Sequence, residues 1–287
     1  MRIPRIYEPK LSPQATVSEV ITLDDFGGHH VAKVLRLQIG AQLRVFDGAG
    51  TEFLATIDNV GKSTSVRLEE KLEIKRESPL TVELLQVISR GDRMDFTIQK
   101  AVELGISKIV PLTSERCGVK LDPARAQKKI ESYQKIAISA CEQCGRNVIP
   151  EVTPLISLDS YLNQLAPSAP APAAAVSTAN ATTASETTAA TVSAAPADAA
   201  SPDNAGSAAP HFINLTLDPL ATHKVTTLPS TGHYRLLIGP EGGLSASEIA
   251  KAASAGFIGV SLGPRILRTE TAALVTLSIL GAHFGDL

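Results

Sequence analysis

Apolar and polar residues alternate with a period of two through QLRVFDGAGTEFLATIDNV, residues 42–60, and again through VRLEEKLEI, residues 66–74. That period marks strands with one buried face, and the DGAG at 47–50 predicts a hairpin turn between two of them. VAKVLRL, residues 31–37, fits a short helix or strand, and 28–37 is predicted as helix. The first 76 residues or so therefore read as a small β-rich unit, expected to form a barrel.

From Leu80 the pattern changes to strands alternating with helices. VELLQVIS (82–89) and ISKIVPL (106–112) are short apolar runs, and the DRMDFTIQKAVELG between them sets Met94, Ile98, Ala101 and Leu104 at helical spacing. Gly105 supplies the stop. Asp122 and Pro123 make an N-cap and first-turn pair for a helix running to about Cys144. FINLTLDP (212–219), YRLLIGP (234–240) and FIGVSLGP (257–264) are three more strands, each ending in a turn signal. A last helix begins near Thr269 and carries Ala272, Ala273, Val275, Leu277 and Ile279. This alternation predicts an α/β fold on a parallel sheet. Residues 166–210 interrupt it: 19 of the 45 are alanine, most others are Ser, Thr or Pro, and none is aromatic, Lys or Arg. Such a stretch has no apolar face to bury and reads as a disordered insertion between sheet elements.

A chain of 287 residues accommodates two modest domains. No apolar run approaches the roughly 18 residues of a membrane span. The N-terminus, MRIPRIYEPK, has no apolar stretch behind its charges. A cytoplasmic protein without a membrane partner is expected. The net charge of −2 argues against tight non-specific nucleic-acid binding, but leaves room for a local basic face. Cys141 and Cys144 form a C-x-x-C within a helical stretch, with Cys117 left over. No second ligand pair accompanies them, so packing cysteines are expected rather than a metal.

The candidate chemistry lies near the C-terminus, in RLLIGPEGGLSASEI (235–249) and SLGPRILRTETAALVTLSIL (261–280). Each is a strand that stops at glycine and proline and passes into a helix. Two such bends at one edge of a parallel sheet would present backbone amides and carbonyls to a small ligand. The first lacks the glycine spacing of a dinucleotide fold and the G-K-[ST] of a phosphate loop. Gly239, Gly242 and Gly243 permit close backbone approach there, and Ser245 with Glu248 predicts a capping box. In the second, Arg265 and Arg268 crowd one helix start. Guanidinium groups so placed suit phosphate or a developing oxyanion.

The paired segments IGPEGGLS and LGPRILRTETAAL, together with ISRGDRMDFTIQKAVELGISKIVPLTSERCGVKL, QKIAISACEQCGRN and RIPRIY, resemble the ribosomal RNA small subunit methyltransferase E family of the SPOUT superfamily. The match covers nearly the whole chain outside the alanine-rich insertion. It implies a SPOUT-type parallel sheet with a C-terminal trefoil knot (residues 77–287), preceded by a small PUA-like β-barrel (residues 1–76). The implied activity is methylation of one uridine at N3 in 16S rRNA of the small ribosomal subunit, with S-adenosyl-L-methionine, by a homodimer. Carried over motif by motif, the cofactor contacts are Leu217, Gly239, Glu241, Gly242, Leu262, Gly263, Ile266, Leu267 and Thr271. Asp218 departs from the family's pattern. Arg268 is expected to stabilise the uridine anion, and either Glu241 or Glu270 to accept its proton. Arg116 is a candidate contact to phosphate or base. Arg2, Arg5, His30, Lys33 and Arg36 would form an RNA-contacting face, with Lys33 and Arg36 on one side of a helix. Read alone, His30 is a packed or surface histidine. Two rivals stay open: the same fold acting on another RNA base or ribose, and a non-catalytic RNA-binding assembly factor.

Overall fold

The computed structural model describes residues 3–61, 63–165 and 211–287. The alanine-rich insertion expected at 166–210 lies outside the described residues, as does Arg2.

Strands β1 (Arg5–Tyr7), β2 (Val20–Thr22), β3 (Gln42–Phe46), β4 (Glu52–Val60) and β5 (Thr64–Leu72) form one sheet in the order β1-β3-β4-β5-β2. β1 runs parallel to β3 and the other pairs are antiparallel. Alternate residues of these strands, among them Ile6, Leu43, Val45, Phe53, Ile57, Val66 and Leu68, bury a core of their own. At the predicted hairpin turn Asp47 Oδ1 accepts from the backbone N–H of Ala49 (2.7 Å) and Thr51 (2.9 Å). Gly48 and Gly50 there adopt positive φ (76° and 121°), a conformation side chains resist.

Helix α1 (Asp25–His29) starts earlier than the expected 28–37, because Asp24 caps it through the Gly27 N–H. It continues as a π-wound turn over His30–Val34, and Arg36 beyond it has φ 52°. Lys33 and Arg36 therefore do not share a helical face: the π turn changes the spacing, and the helix has ended before Arg36. Both side chains are exposed, whereas His30 is half-buried with its ring edge-on to Phe26 at 6.5 Å.

The second sheet is all parallel. Its strands are β6 (Thr81–Val87), β7 (Lys108–Thr113), β8 (Glu151–Val152), β9 (Ile156–Ser157), β10 (Ile213–Leu217), β11 (His233–Ile238) and β12 (Phe257–Val260). Their order is β12-β10-β11-β6-β7-β8, with β9 a second short partner of β7. Helices α2 (Arg93–Glu103), α3 (Pro123–Cys144) and α6 (Thr269–Phe284) supply residues to the larger core on one face. Helices α4 (Leu158–Gln164) and α5 (Ala246–Ser254) supply residues to a smaller core on the other. Coverage on both faces explains why consecutive residues are buried in these strands, Leu84 with Leu85 in β6 and Leu236 to Ile238 in β11. α3 has the expected cap: Asp122 Oδ1 accepts from Arg125 N–H at 2.9 Å, Pro123 opens the helix, and Gly145 closes it at φ 95°.

Arg5 joins the two halves, and this corrects its expected place on an RNA face. Its side chain is 4% exposed: Nε meets Glu52 Oε1 at 2.9 Å, and Nη1 and Nη2 donate to the carbonyls of Cys141 and Arg146 and to Asn147 Oδ1. Its guanidinium also lies 4.4 Å from the centre of the Phe46 ring. A cation so enclosed is satisfied by the protein and has nothing to offer a phosphate. Beside it, Tyr7 N–H donates to Glu142 Oε1 (3.0 Å), and Ile149 N–H donates to the Gly48 carbonyl (3.0 Å). Cys141 packs in the larger core, and burial pushes its thiol up to about 12. Among the described residues no His, Cys, Asp and Glu cluster could hold a metal ion, and no helix is long and apolar enough to cross a membrane.

Candidate active site

The C-terminal ends of β10, β11 and β12 open onto a cleft of about 680 Å³. Both bends singled out in the sequence line it. The first leaves β11 at Ile238 and turns through Gly239 and Pro240. A Cβ on Gly239 would stand 3.1 Å from the Leu244 side chain and 3.3 Å from its backbone nitrogen, so a larger residue would press on the turn. Gly243, at φ 68°, donates its N–H to the Pro240 carbonyl at 2.9 Å. The capping box is present: Ser245 Oγ accepts from Glu248 N–H (3.2 Å), and Glu248 Oε2 accepts from Ser245 N–H (2.8 Å). Arg116, reaching over from the end of β7, donates through Nη1 to the carbonyls of Gly242 (3.2 Å) and Leu244 (3.3 Å). In this position it braces the glycine bend.

The second bend leaves β12 at Val260 and passes Gly263 at φ 106° before α6 begins. Thr269, first residue of α6, ties the bends together: its hydroxyl donates to the Gly239 carbonyl at 2.9 Å and accepts from Gln86 Nε2 at 2.8 Å. Gln86 lies on the central strand β6 and is 1% exposed. Asp218 helps to set the third loop of the cleft, its Oδ1 accepting from Leu220 N–H at 2.9 Å. Its carboxylate thus acts within a turn.

Of the residues carried over for a cofactor, Leu217, Gly239, Glu241, Leu262, Gly263, Ile266 and Leu267 line this cleft. Gly242 and Thr271 do not. Gly242 faces Arg116 instead, and Thr271 is an exposed residue in the first turn of α6. Phe257, Val260 and Ala272 add apolar wall. Apolar walls with backbone groups at the bends suit a flat heteroaromatic ring and a thioether-like chain.

Charge is unevenly spread around the rim. Arg265 and Arg268 line the cleft, are exposed, and have no ionic partner among the described residues. Arg93, the first residue of α2, also lines the cleft and lies between two carboxylates: Nη1 is 2.6 Å from Glu241 Oε1, and Nε is 4.0 Å from Glu270 Oε1. Partial burial pushes the Glu241 carboxyl up. Hydrogen bonds from its own amide, the Arg90 amide and Arg93 outweigh that, together with the Arg93 charge, and hold it below the usual carboxylate range. Glu270 does not line the cleft itself, and its buried Oε2 has no hydrogen-bond partner among the described residues.

Arg93 and Gln86 were not singled out in the sequence, yet each carried a signal. A cation in the first turn of a helix runs against the helix dipole. A glutamine inside the apolar run LLQVI needs a partner once the strand is covered on both faces.

An RNA methyltransferase domain family matches residues 76–281, and an RNA methyltransferase PUA domain family matches residues 23–66. The ribosomal RNA small subunit methyltransferase E of Buchnera aphidicola subsp. Schizaphis graminum is 35% identical, over 100% of this chain and 98% of its own. The crystal structure of the protein of that name from Neisseria gonorrhoeae, bound to S-adenosyl methionine, is 32% identical over 99% of both chains, with a TM-score of 0.79. A Legionella pneumophila structure, described as a methyltransferase in complex with its bound cofactor SAM, is 37% identical over 100% of both chains, again at TM-score 0.79. Matched along its whole length at this level, with both bends meeting in one cleft, the chain belongs to the ribosomal RNA small subunit methyltransferase E family.

Proposed function

We propose that this protein methylates N3 of one uridine in 16S rRNA of the small ribosomal subunit, using S-adenosylmethionine. The observation that carries this is the junction of the two glycine bends through Thr269 and Gln86, which makes one cleft with unpaired arginines on its rim. Leu217, Leu262, Ile266 and Leu267 would enclose the cofactor, with backbone groups around Gly239 and Gly263 fixing its polar edges. When bound, S-adenosylmethionine supplies an electrophilic methyl on a sulfonium that departs as a neutral thioether.

The residues of the chain then have to align the uridine and handle its charge. The imide nitrogen is a poor nucleophile until its proton leaves. Either Glu241, which lines the cleft, or Glu270, in the first turn of α6, takes that proton; Arg93 lies beside both carboxylates. The electron pair left on N3 forms the new N–C bond. Arg268 stabilises the charge that spreads onto the flanking carbonyl oxygens. Glu241 also anchors Arg93 against the glycine bend. Glu241→Gln and Glu270→Gln, compared under saturating cofactor, identify the base as the one whose loss costs the larger share of turnover, and full turnover in both would reject a carboxylate base.

Architecture follows the same reading. The β-rich unit to residue 76 acts as a PUA-like barrel that docks RNA, with Lys33 and Arg36 exposed on it. Residues 77–287 form the SPOUT domain. α6 packs on the 3₁₀ turn Val225–Thr227 of the long β10–β11 loop, which supports passage of the C-terminal segment through that loop as a trefoil knot. A homodimer working in the cytoplasm completes the proposal.

Transfer of tritium from labelled S-adenosylmethionine to purified small subunits, followed by nucleoside analysis, tests it. Label in N3-methyluridine is expected. Label on a ribose or another base moves the target, and unlabelled RNA leaves a binding protein.

A further inference from the structure

A second cleft, of about 480 Å³, opens beside the first, at the C-terminal ends of β6 and β7. Its walls are the turn after β6, with Arg90 and Asp92, the loop Gly118–Leu121, and Lys129 and Tyr133 of α3. We propose that it is an RNA subsite, holding a backbone phosphate of a nucleotide next to the one methylated; this rests on the reading of the protein as an rRNA methyltransferase.

The cleft is cationic and built. Arg90, Lys120 and Lys129 line it together with Asp92, while Glu241 borders it and Asp95 pairs with Lys129. Arg90 lies across Gly118, donating Nε to its carbonyl at 3.1 Å. A Cβ on Gly118 would stand 2.7 Å from that same nitrogen, so only glycine lets the guanidinium rest there. Its terminal N–H groups carry no hydrogen bond among the described residues and can face a ligand. Lys120 is exposed and has no ionic partner among the described residues. Lys129 is held over the Tyr133 ring at 4.8 Å and lies 3.3 Å from Asp95 Oδ1, so it contributes field more than a free hand. Two available cations and one fixed one, around a space of nucleotide size, suit a phosphodiester rather than an apolar partner.

Position ties this cleft to the chemistry. The Arg90 N–H donates to Glu241 Oε1 at 3.4 Å, and the same oxygen receives Arg93, so the Glu241 carboxylate forms the partition between the clefts. A strand whose target base enters the first cleft must carry its neighbouring phosphates over that partition. Extruding a base from its stack needs grips on the backbone beside it, and cations there supply them without reading sequence.

The test uses the full chain carrying Arg90→Ala and Lys120→Ala together, neither substitution reaching the cofactor cleft. Binding of a naked 16S fragment is followed by fluorescence anisotropy across a salt series, and methylation by label transfer. The log–log salt slope should become shallower by about 1.4, the value for two contacts to single-stranded RNA. KM for RNA should rise roughly tenfold, in line with lost charge-assisted hydrogen bonds. Turnover at saturation and cofactor affinity should stay within about twofold. An unchanged slope and KM overturn the proposal. So does an effect confined to intact subunits, which assigns the cleft to a ribosomal protein, or a change of oligomeric state in sedimentation, which assigns it to a second copy. If wild-type protein labels no RNA, the methyltransferase reading fails, while the anisotropy series still decides the subsite.

Discussion

Arg5 and Arg268 are the same residue in opposite circumstances. Arg5 is enclosed at the junction of the two halves, with a carboxylate, carbonyls and an amide oxygen accepting from its guanidinium. Arg268 stands at the mouth of the cleft, exposed and without a protein partner among the described residues. The first uses its donors within the protein, and the second leaves them open toward the cleft. In this chain a cation is a candidate for chemistry when its donors are unused. Proximity to a family motif is weaker evidence, because RIPRIY carries Arg5 and yet buries it.

The sharpest way to break this comparison is to remove Arg5. Arg5→Ala leaves the Glu52 carboxylate, which is fully buried, without its nearest cation, and strips donors from two carbonyls. Breaking a buried pair from one side costs about 3–5 kcal/mol. Chemical denaturation should show that loss, together with weaker docking of the two halves. Near-wild-type stability would mean that the junction is held by something else. At the other pole, Arg268→Ala should leave the fold untouched and cofactor affinity by calorimetry nearly unchanged. Its turnover should fall roughly 10²–10³-fold, the usual effect of deleting one oxyanion donor. Unchanged turnover would remove Arg268 from the chemistry.

The contrast also marks what the sequence could disclose. Element identity was legible wherever local rules act alone: Asp122-Pro123 starts α3, Gly145 stops it, Ser245 with Glu248 caps α5, and α6 begins at Thr269. The cleft was legible because both bends leave strands of one parallel sheet, β11 and β12, at the same edge, with β10 between them. Burial of Arg5 was not, since its partners Cys141, Arg146 and Asn147 lie some 140 residues further along. Short β1 and β2 carry too few residues to show a period, and they exist because β3 and β5 offer edges. The Arg93 bridge to Glu241 and Glu270 likewise depends on a meeting of three distant segments.

Between the two poles stands Gln86, buried like Arg5 but serving the cleft like Arg268. Gln86→Leu removes the donor to Thr269 while keeping the volume, so the fold should survive. The two bends lose their shared tether, and cofactor affinity should weaken roughly tenfold, as expected for one buried hydrogen bond of about 1.5 kcal/mol. Calorimetry reads this directly. Thr269→Val should reproduce it, and the double variant should add little beyond either single change, since both break one relay. Full additivity would show that the two residues act separately.

The smallest effect belongs to Glu142, at the junction beside Arg5. Burial raises its carboxyl pKa and outweighs the backbone N–H of Tyr7 and the nearby His30 and Arg5, which lower it. A carboxyl whose folded pKa lies above its unfolded value binds protons more tightly when folded. Its ionisation therefore subtracts stability as pH rises through the interval between the two values, and the loss is complete above the folded one. Glu142→Gln keeps an oxygen to accept from Tyr7 and removes the buried charge. At neutral pH the variant should melt above the wild type. The gap should close as pH falls below the raised value, where the wild-type carboxyl is itself neutral. A gap that stays constant, or that widens in acid, would show that the Glu142 charge stabilises the junction through Arg5 and that desolvation is the lesser effect.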